Sequence, residues 1–223
     1  MYDYRLQMPN INVGFYEPRY ARAHQLDKVD NIAVDTSALS RTEGVYIPLG
    51  FPSQTLSAIW LSAVINSRRS NKPNTEFLME TETDFMAGEK SPTDLLSAVA
   101  LLNRKSKAHG WSYTLSCIGS WENLLLCLME GNTVMVGGSV YESFQQAEIS
   151  GIVPMPKPGE ALLGGQIVNI VSFDQKAETG QVFGNMGTKT GRRGIFTYRG
   201  SYFRNLQICR DFFVLIPRFE HAN

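Results

Sequence analysis

The chain has 223 residues, 43% of them hydrophobic and 19% charged, with 21 basic side chains against 21 acidic ones and a formal net charge of +0. That balance describes a globular protein and supplies no basic face for nucleic acid or an anionic membrane surface. The length suits one domain of two lobes or two small domains, and no apolar run approaches the roughly 18 residues of a membrane span.

The three cysteines, Cys117, Cys127 and Cys209, show no metal-ligand spacing and cannot all pair. They read as reduced, buried thiols. The opening residues, Met1-Tyr2-Asp3-Tyr4-Arg5, lead into polar sequence without the apolar stretch of a secretory signal. The short pairs Arg68-Arg69 and Arg192-Arg193 read as solvated surface. No spacing points to a cofactor or a metal.

Residues 1–44 lack strong periodicity and carry Pro9 and Pro18, which predicts an extended arm packed on the body or on a partner. A short strand is expected within Ile32 to Asp35. Leu56, Trp60, Ala63 and Val64 recur at helical spacing, so a helix with one buried face is predicted over Gln54 to Arg68, with Ser53 as its cap. A second helix should follow Ser91-Pro92-Thr93-Asp94, with Ser91 as N-cap and Leu95, Val99 and Leu102 buried. A third should start near Ser120 and stop at Gly131. His109 falls in an expected loop. From Thr133 the pattern turns to strands: 133–137, 167–173, 181–183, 194–198 and 212–216, separated by Gly-rich turns. Helices first and strands second predict an α+β fold.

One region is more specific. Gly164-Gly165-Gln166-Ile167-Val168 is followed by Gly184-Asn185-Met186-Gly187, then by Gly191-Arg192-Arg193-Gly194-Ile195-Phe196. Ahead of them stand Gly138 to Phe144, Gly151 to Pro156 and Gly159 to Gly165. Taken in order, these blocks resemble the C-terminal half of papain-like (C1-type) cysteine peptidases of viral and bacterial type. In that family a Gly-Gly-His-Ala-Val strand supplies the base, and an Asn-x-x-Gly turn supplies the residue that orients it. The resemblance runs from about Val45 to Ile216. It implies a two-lobe domain over 45–217, with a helical lobe over about 45–131, an antiparallel, barrel-like β lobe over about 132–217, and a tail over 218–223.

On that resemblance, Gln166 stands where the catalytic His belongs, and Asn185 is the orienting position. The family's Gln-Gly-x-x-Gly-Ser-Cys block, laid without gaps on Val45 to Thr55, puts Gln54 at the nucleophile and Pro48 at the oxyanion-stabilising Gln. A small shift of register brings Ser53 or Thr55 to the nucleophile position, but never a Cys. An amide has no nucleophilic atom and takes no proton near neutral pH. Losing one oxyanion donor alone costs about 10²–10³ in rate.

The expectation is therefore a pseudoenzyme: a structural or interaction component, a minor part of a virus or phage particle, found in the virion or the host cytoplasm. Its partners would be protein subunits, held through the arm and the inter-lobe cleft, with no nucleic acid and no membrane. Two alternatives stand beside it. One is an active enzyme with a relocated nucleophile (Ser53, Cys127 or Cys209). The other is a peptide-binding decoy. His24, His109 and His221 fall in no motif.

Overall fold

The computed structural model describes residues 14–36, 40–41, 44–45, 54–68, 94–184 and 189–219. The chain begins with β1 (Gly14–Phe15), α1 (Ala23–Leu26) and β2 (Asn31–Ala33), then a small hairpin, β3 (Ser40–Arg41) with β4 (Gly44–Val45). The helical part holds α2 (Gln54–Arg68) and α3 (Leu95–Ser106). After them come β5 (Trp111–Cys117), α4 (Trp121–Met129), β6 (Val134–Tyr141), α5 (Phe144–Ser150) and β7 (Ile152–Val153). The rest is β8 (Leu162–Asp174), β9 (Thr179–Phe183), β10 (Ile195–Arg199), α6 (Gly200–Arg204) and β11 (Cys209–Phe219).

A nine-stranded sheet runs in the order β1-β5-β11-β6-β8-β9-β10-β7, with β2 added to the far half of β8. The α+β expectation stands, although the sheet stays open between β1 and β7. The strict order of helices before strands does not hold. Trp111–Cys117, inside the expected helical lobe, is a strand that pairs along β11 from Phe219↔Trp111 to Phe213↔Cys117. Phe144–Ser150 and Gly200–Arg204 are helices that the sequence pattern did not show.

Helix α2 is buried on every side from Leu56 to Ser67, not along one stripe as the periodicity suggested. A helix enclosed all round must hydrogen-bond its own polar groups or bury them at a cost. Asn66 does so twice: its Nδ2 donates to the Leu215 carbonyl at 2.7 Å, and its Oδ1 accepts from the Thr133 amide at 2.8 Å. Asn169 on β8 reaches back to the helix, donating to the Ala58 carbonyl at 3.1 Å and to Ser62 Oγ at 2.7 Å. Ser67 Oγ meets the Tyr113 hydroxyl at 2.9 Å. These bonds fix α2 against β11, β8 and β5, and so fix where its first residue, Gln54, points.

Capping follows side-chain chemistry. Ser120, near which a helix was expected to start, caps α4, accepting from the Asn123 amide at 3.0 Å. In α3 the cap is Asp94, not Ser91: the carboxylate accepts from the Ser97 amide at 2.9 Å and the helix starts at Leu95. Ser91 itself lies outside the described residues.

The N-terminal arm, where described, is spent on this chain's own body. Gly14 and Phe15 pair with Ser116 and Cys117, and Asn31 to Ala33 pair with Asp174 to Ser172. Gln175 Nε2 donates to the carbonyls of Leu26 and Val29 at 2.8 and 2.5 Å, holding the stretch between them.

Candidate functional site

Three elements converge at the N-terminus of α2. The helix presents Gln54 and Thr55. The first half of β8 presents Leu162, Gly165, Gln166 and Ile167. Between them lies β6 with Gly137, Gly138 and Ser139, and together they line a cavity of about 590 Å³. Asp94, at the start of α3, and Arg210 and Asp211, on β11, complete its charged rim.

Strand register explains the position of Gln166. It pairs with Gly138 across β6–β8, and Gly137 pairs with both Ile167 and Asp211. Behind Gly138 the space is close but not closed: a Cβ there would sit 3.4 Å from Cys209 Sγ and 3.4 Å from the Ile208 carbonyl. The cleft wall is therefore bare backbone beside an amide side chain.

Gln166 is half-buried, and its Nε2 donates to the Tyr198 hydroxyl at 2.9 Å. Burial, and then the neighbouring Tyr202, hold the Tyr198 phenol well above its ordinary range, while the Gln166 bond pulls the other way. The pair is thus neutral on both sides across the physiological range. Gln54 is exposed, and among the described residues no hydrogen bond joins it to Gln166. The two share the cleft rather than forming an amide cluster. Pro48, Ser53 and Asn185 lie outside the described residues.

The cysteines lie elsewhere. Cys209 is 3% exposed, and burial pushes its thiol up to about 12. It stays protonated behind Gly138 at neutral pH, which removes it as a nucleophile. Cys127 is fully buried on α4 and Cys117 is half-buried at the end of β5. His24 sits on α1, and His109 is exposed in a one-turn 3-10 helix, Lys107–His109. None of these lines the cleft, and His221 is outside the described residues. Among the described residues, no group of three or more His, Cys, Asp or Glu side chains could hold a metal ion.

Two partners in the site had no sequence signal. Tyr198 is 32 residues from Gln166 and reaches it only because β10 lies across β9 from β8. Asp211 faces Gly137 because β11 pairs with β6.

Comparisons with known proteins bear on the fold. No family model matches the chain. Over 96 residues it is 31% identical to an uncharacterized peptidase C1-like protein of Acanthamoeba polyphaga mimivirus, a match covering 42% of this chain and 31% of that relative. The chain therefore spans under a third of the relative's length in that match. Xylellain, a cysteine protease of Xylella fastidiosa, superposes with a TM-score of 0.67 over 94% of both chains at 18% identity. Digestive procathepsin L 3 of Tenebrio molitor gives 0.57 at 11% identity, covering 92% of this chain and 73% of that one. A Carica candamarcensis cysteine protease bound to E-64 gives 0.53 at 10% identity, covering 86% of this chain and 100% of that one. With the fold shared over nearly the whole chain and sequence similarity confined to part of it, the chain has a papain-like fold and is similar over 96 residues to a peptidase C1-like protein.

Proposed function

We propose that this chain is a catalytically inactive papain-like protein that acts by binding, with its cleft holding an extended segment of another protein. The observation that carries the reading is that Gln54 and Gln166, matched by resemblance to nucleophile and base, line the same cleft. Their meeting at one cleft supports the match, and Thr55, the neighbouring register, lines that cleft as well. Both are amides, and residues 46–53, which precede Gln54, contain no Cys or His. A cleft walled by Gly137, Gly138 and Gly165 still offers backbone groups to an extended peptide.

The mimivirus relative supports a setting in a viral particle or in the cytoplasm of an infected cell, as a minor protein component. The arm's pairing with β5 and β8 favours the cleft over residues 14–36 as the partner-binding surface. The decoy reading, capture of peptides without cleavage, uses the same cleft and differs only in the partner.

Two experiments test this. The wild-type chain should show no turnover of fluorogenic peptides and no labelling by an epoxide probe, and labelling lost on Cys127→Ala, Cys209→Ser or Ser53→Ala would reinstate an active enzyme. The protein should copurify with a particle at fixed stoichiometry through a salt wash. Recovery only as a free protein would count against the assembly role.

A further inference from the structure

At the end of α2 away from the cleft, Phe15 to Tyr20 border a second cavity, of about 860 Å³, together with Asn66, Thr114, Ser116 and Asn132. The segment is held there by one carboxylate. Glu130, the residue after α4, is 5% exposed. Its Oε2 accepts from the Tyr16 hydroxyl at 2.5 Å, and its Oε1 accepts from the backbone amides of Tyr20 and Ala21 at 2.5 and 3.0 Å. We propose that Glu130 is the latch of an N-terminal strap, residues 14–22, and that protonating it unfastens the strap from the edge of β5 while the rest of the sheet stays folded.

The strap is a bounded unit. Toward its start it is held by the two-residue pairing with Ser116 and Cys117 and by the Tyr16 amide donating to the Cys117 carbonyl at 2.8 Å. Beyond Ala21 the chain has separate anchors, the Gln175 bonds and the β2–β8 pairing. Between these, Phe15 and Tyr20 are each 71% exposed, so little apolar burial holds the strap down. The exceptions are Tyr16, at 6%, and the small Ala21, at 7%.

A carboxylate only accepts. Once protonated, one of its oxygens becomes a donor and the charge that strengthened these bonds disappears. Burial pushes the Glu130 carboxyl up, but the bonds from Tyr16, Tyr20, Ala21 and the Arg19 backbone outweigh it and hold the group below the ordinary carboxylate range. A depressed folded-state value places the stabilisation above the ordinary carboxylate range and removes it as the pH falls through the depressed value. The ionisable groups around the latch are Tyr16 and Cys127 in contact, Glu17, Arg19 and Arg218 around the cavity, and His24 on α1, which packs against α4. Burial, the largest cause, with added effects of Cys127 and Glu130, drives the Tyr16 phenol far up, so it remains a donor throughout. Unfastening frees the edge groups of β5 at Ser116 and Cys117 and opens the polar cavity.

Hydrogen exchange of the Tyr20 and Ala21 amides, corrected for intrinsic rates and followed from about pH 7 to about pH 3, tests the latch. Wild type should lose protection there in acid while Val168 to Val171 in β8 keep theirs. Glu130→Gln should exchange about tenfold faster or more at neutral pH, with the acid step gone. Tyr16→Phe, which removes one donor, should fall between them. The proposal is overturned if strap and β8 lose protection together, if Glu130→Gln matches wild type, or if His24→Gln abolishes the acid step.

Discussion

Asn66→Ala is the sharpest test of how the cleft is positioned. The side chain is 1% exposed and makes two bonds, to the Leu215 carbonyl on β11 and from the Thr133 amide ahead of β6. Alanine leaves both backbone groups buried without that partner. An unsatisfied buried group costs about 1–3 kcal/mol, so the pair predicts a loss of roughly 2–6 kcal/mol. Against the usual total of about 5–15 kcal/mol this is a large fraction of the stability. Ser57 on the same helix is the control. It is equally buried, but its Oγ has no hydrogen-bond partner among the described residues. Ser57→Ala removes an unpaid desolvation cost and should be neutral or slightly stabilising, within about 1 kcal/mol. Urea unfolding followed by tryptophan fluorescence measures both, since Trp60 lies fully buried in the same helix. If Asn66→Ala costs under about 1 kcal/mol, or Ser57→Ala costs as much, the pegged-helix account is wrong.

Gln54→Cys with Gln166→His should introduce a thiol that an epoxide probe labels faster than it labels the single Cys variant; equal rates would mean that 54 and 166 do not act on one another. Native Cys209 should resist a thiol reagent until the chain unfolds. Because burial raises its folded pKa to about 12, the neutral thiol stabilises the fold below the ordinary thiol range, and this contribution declines as the pH climbs through and above it. Fast native labelling mapped to Cys209 would contradict that. Gly184→Ala would place a Cβ 2.4 Å from the Phe196 ring and should destabilise by about 1–3 kcal/mol in a thermal melt. An unchanged melting point would show that the ring moves freely.

Much of this protein was legible in the chain itself. The α2 bounds, the start of α4 near Ser120 and the central strands follow from local periodicity, which acts over a few residues. The papain-like resemblance came from ordered short blocks, and Gln54 and Gln166 were placed by that alone. Other features needed the fold. The pairing of Trp111–Cys117 with β11 did, although the strand's own alternation of Trp, Tyr and Leu with Ser, Thr and Ser was readable in the chain. The burial of α2 depends on strands β11, β8 and β6 of the sheet and on α3 beside it, so its serines and Asn66 misled a reading based on one face. Tyr198 beside Gln166, Asp211 beside Gly137 and the strap on Glu130 are contacts between residues 32 to 114 positions apart in the chain. Local sequence carries propensity and pattern. Which distant side chains meet is settled only when strand register and helix packing close the structure, because hydrogen-bond partners are chosen by position in space rather than by order along the chain.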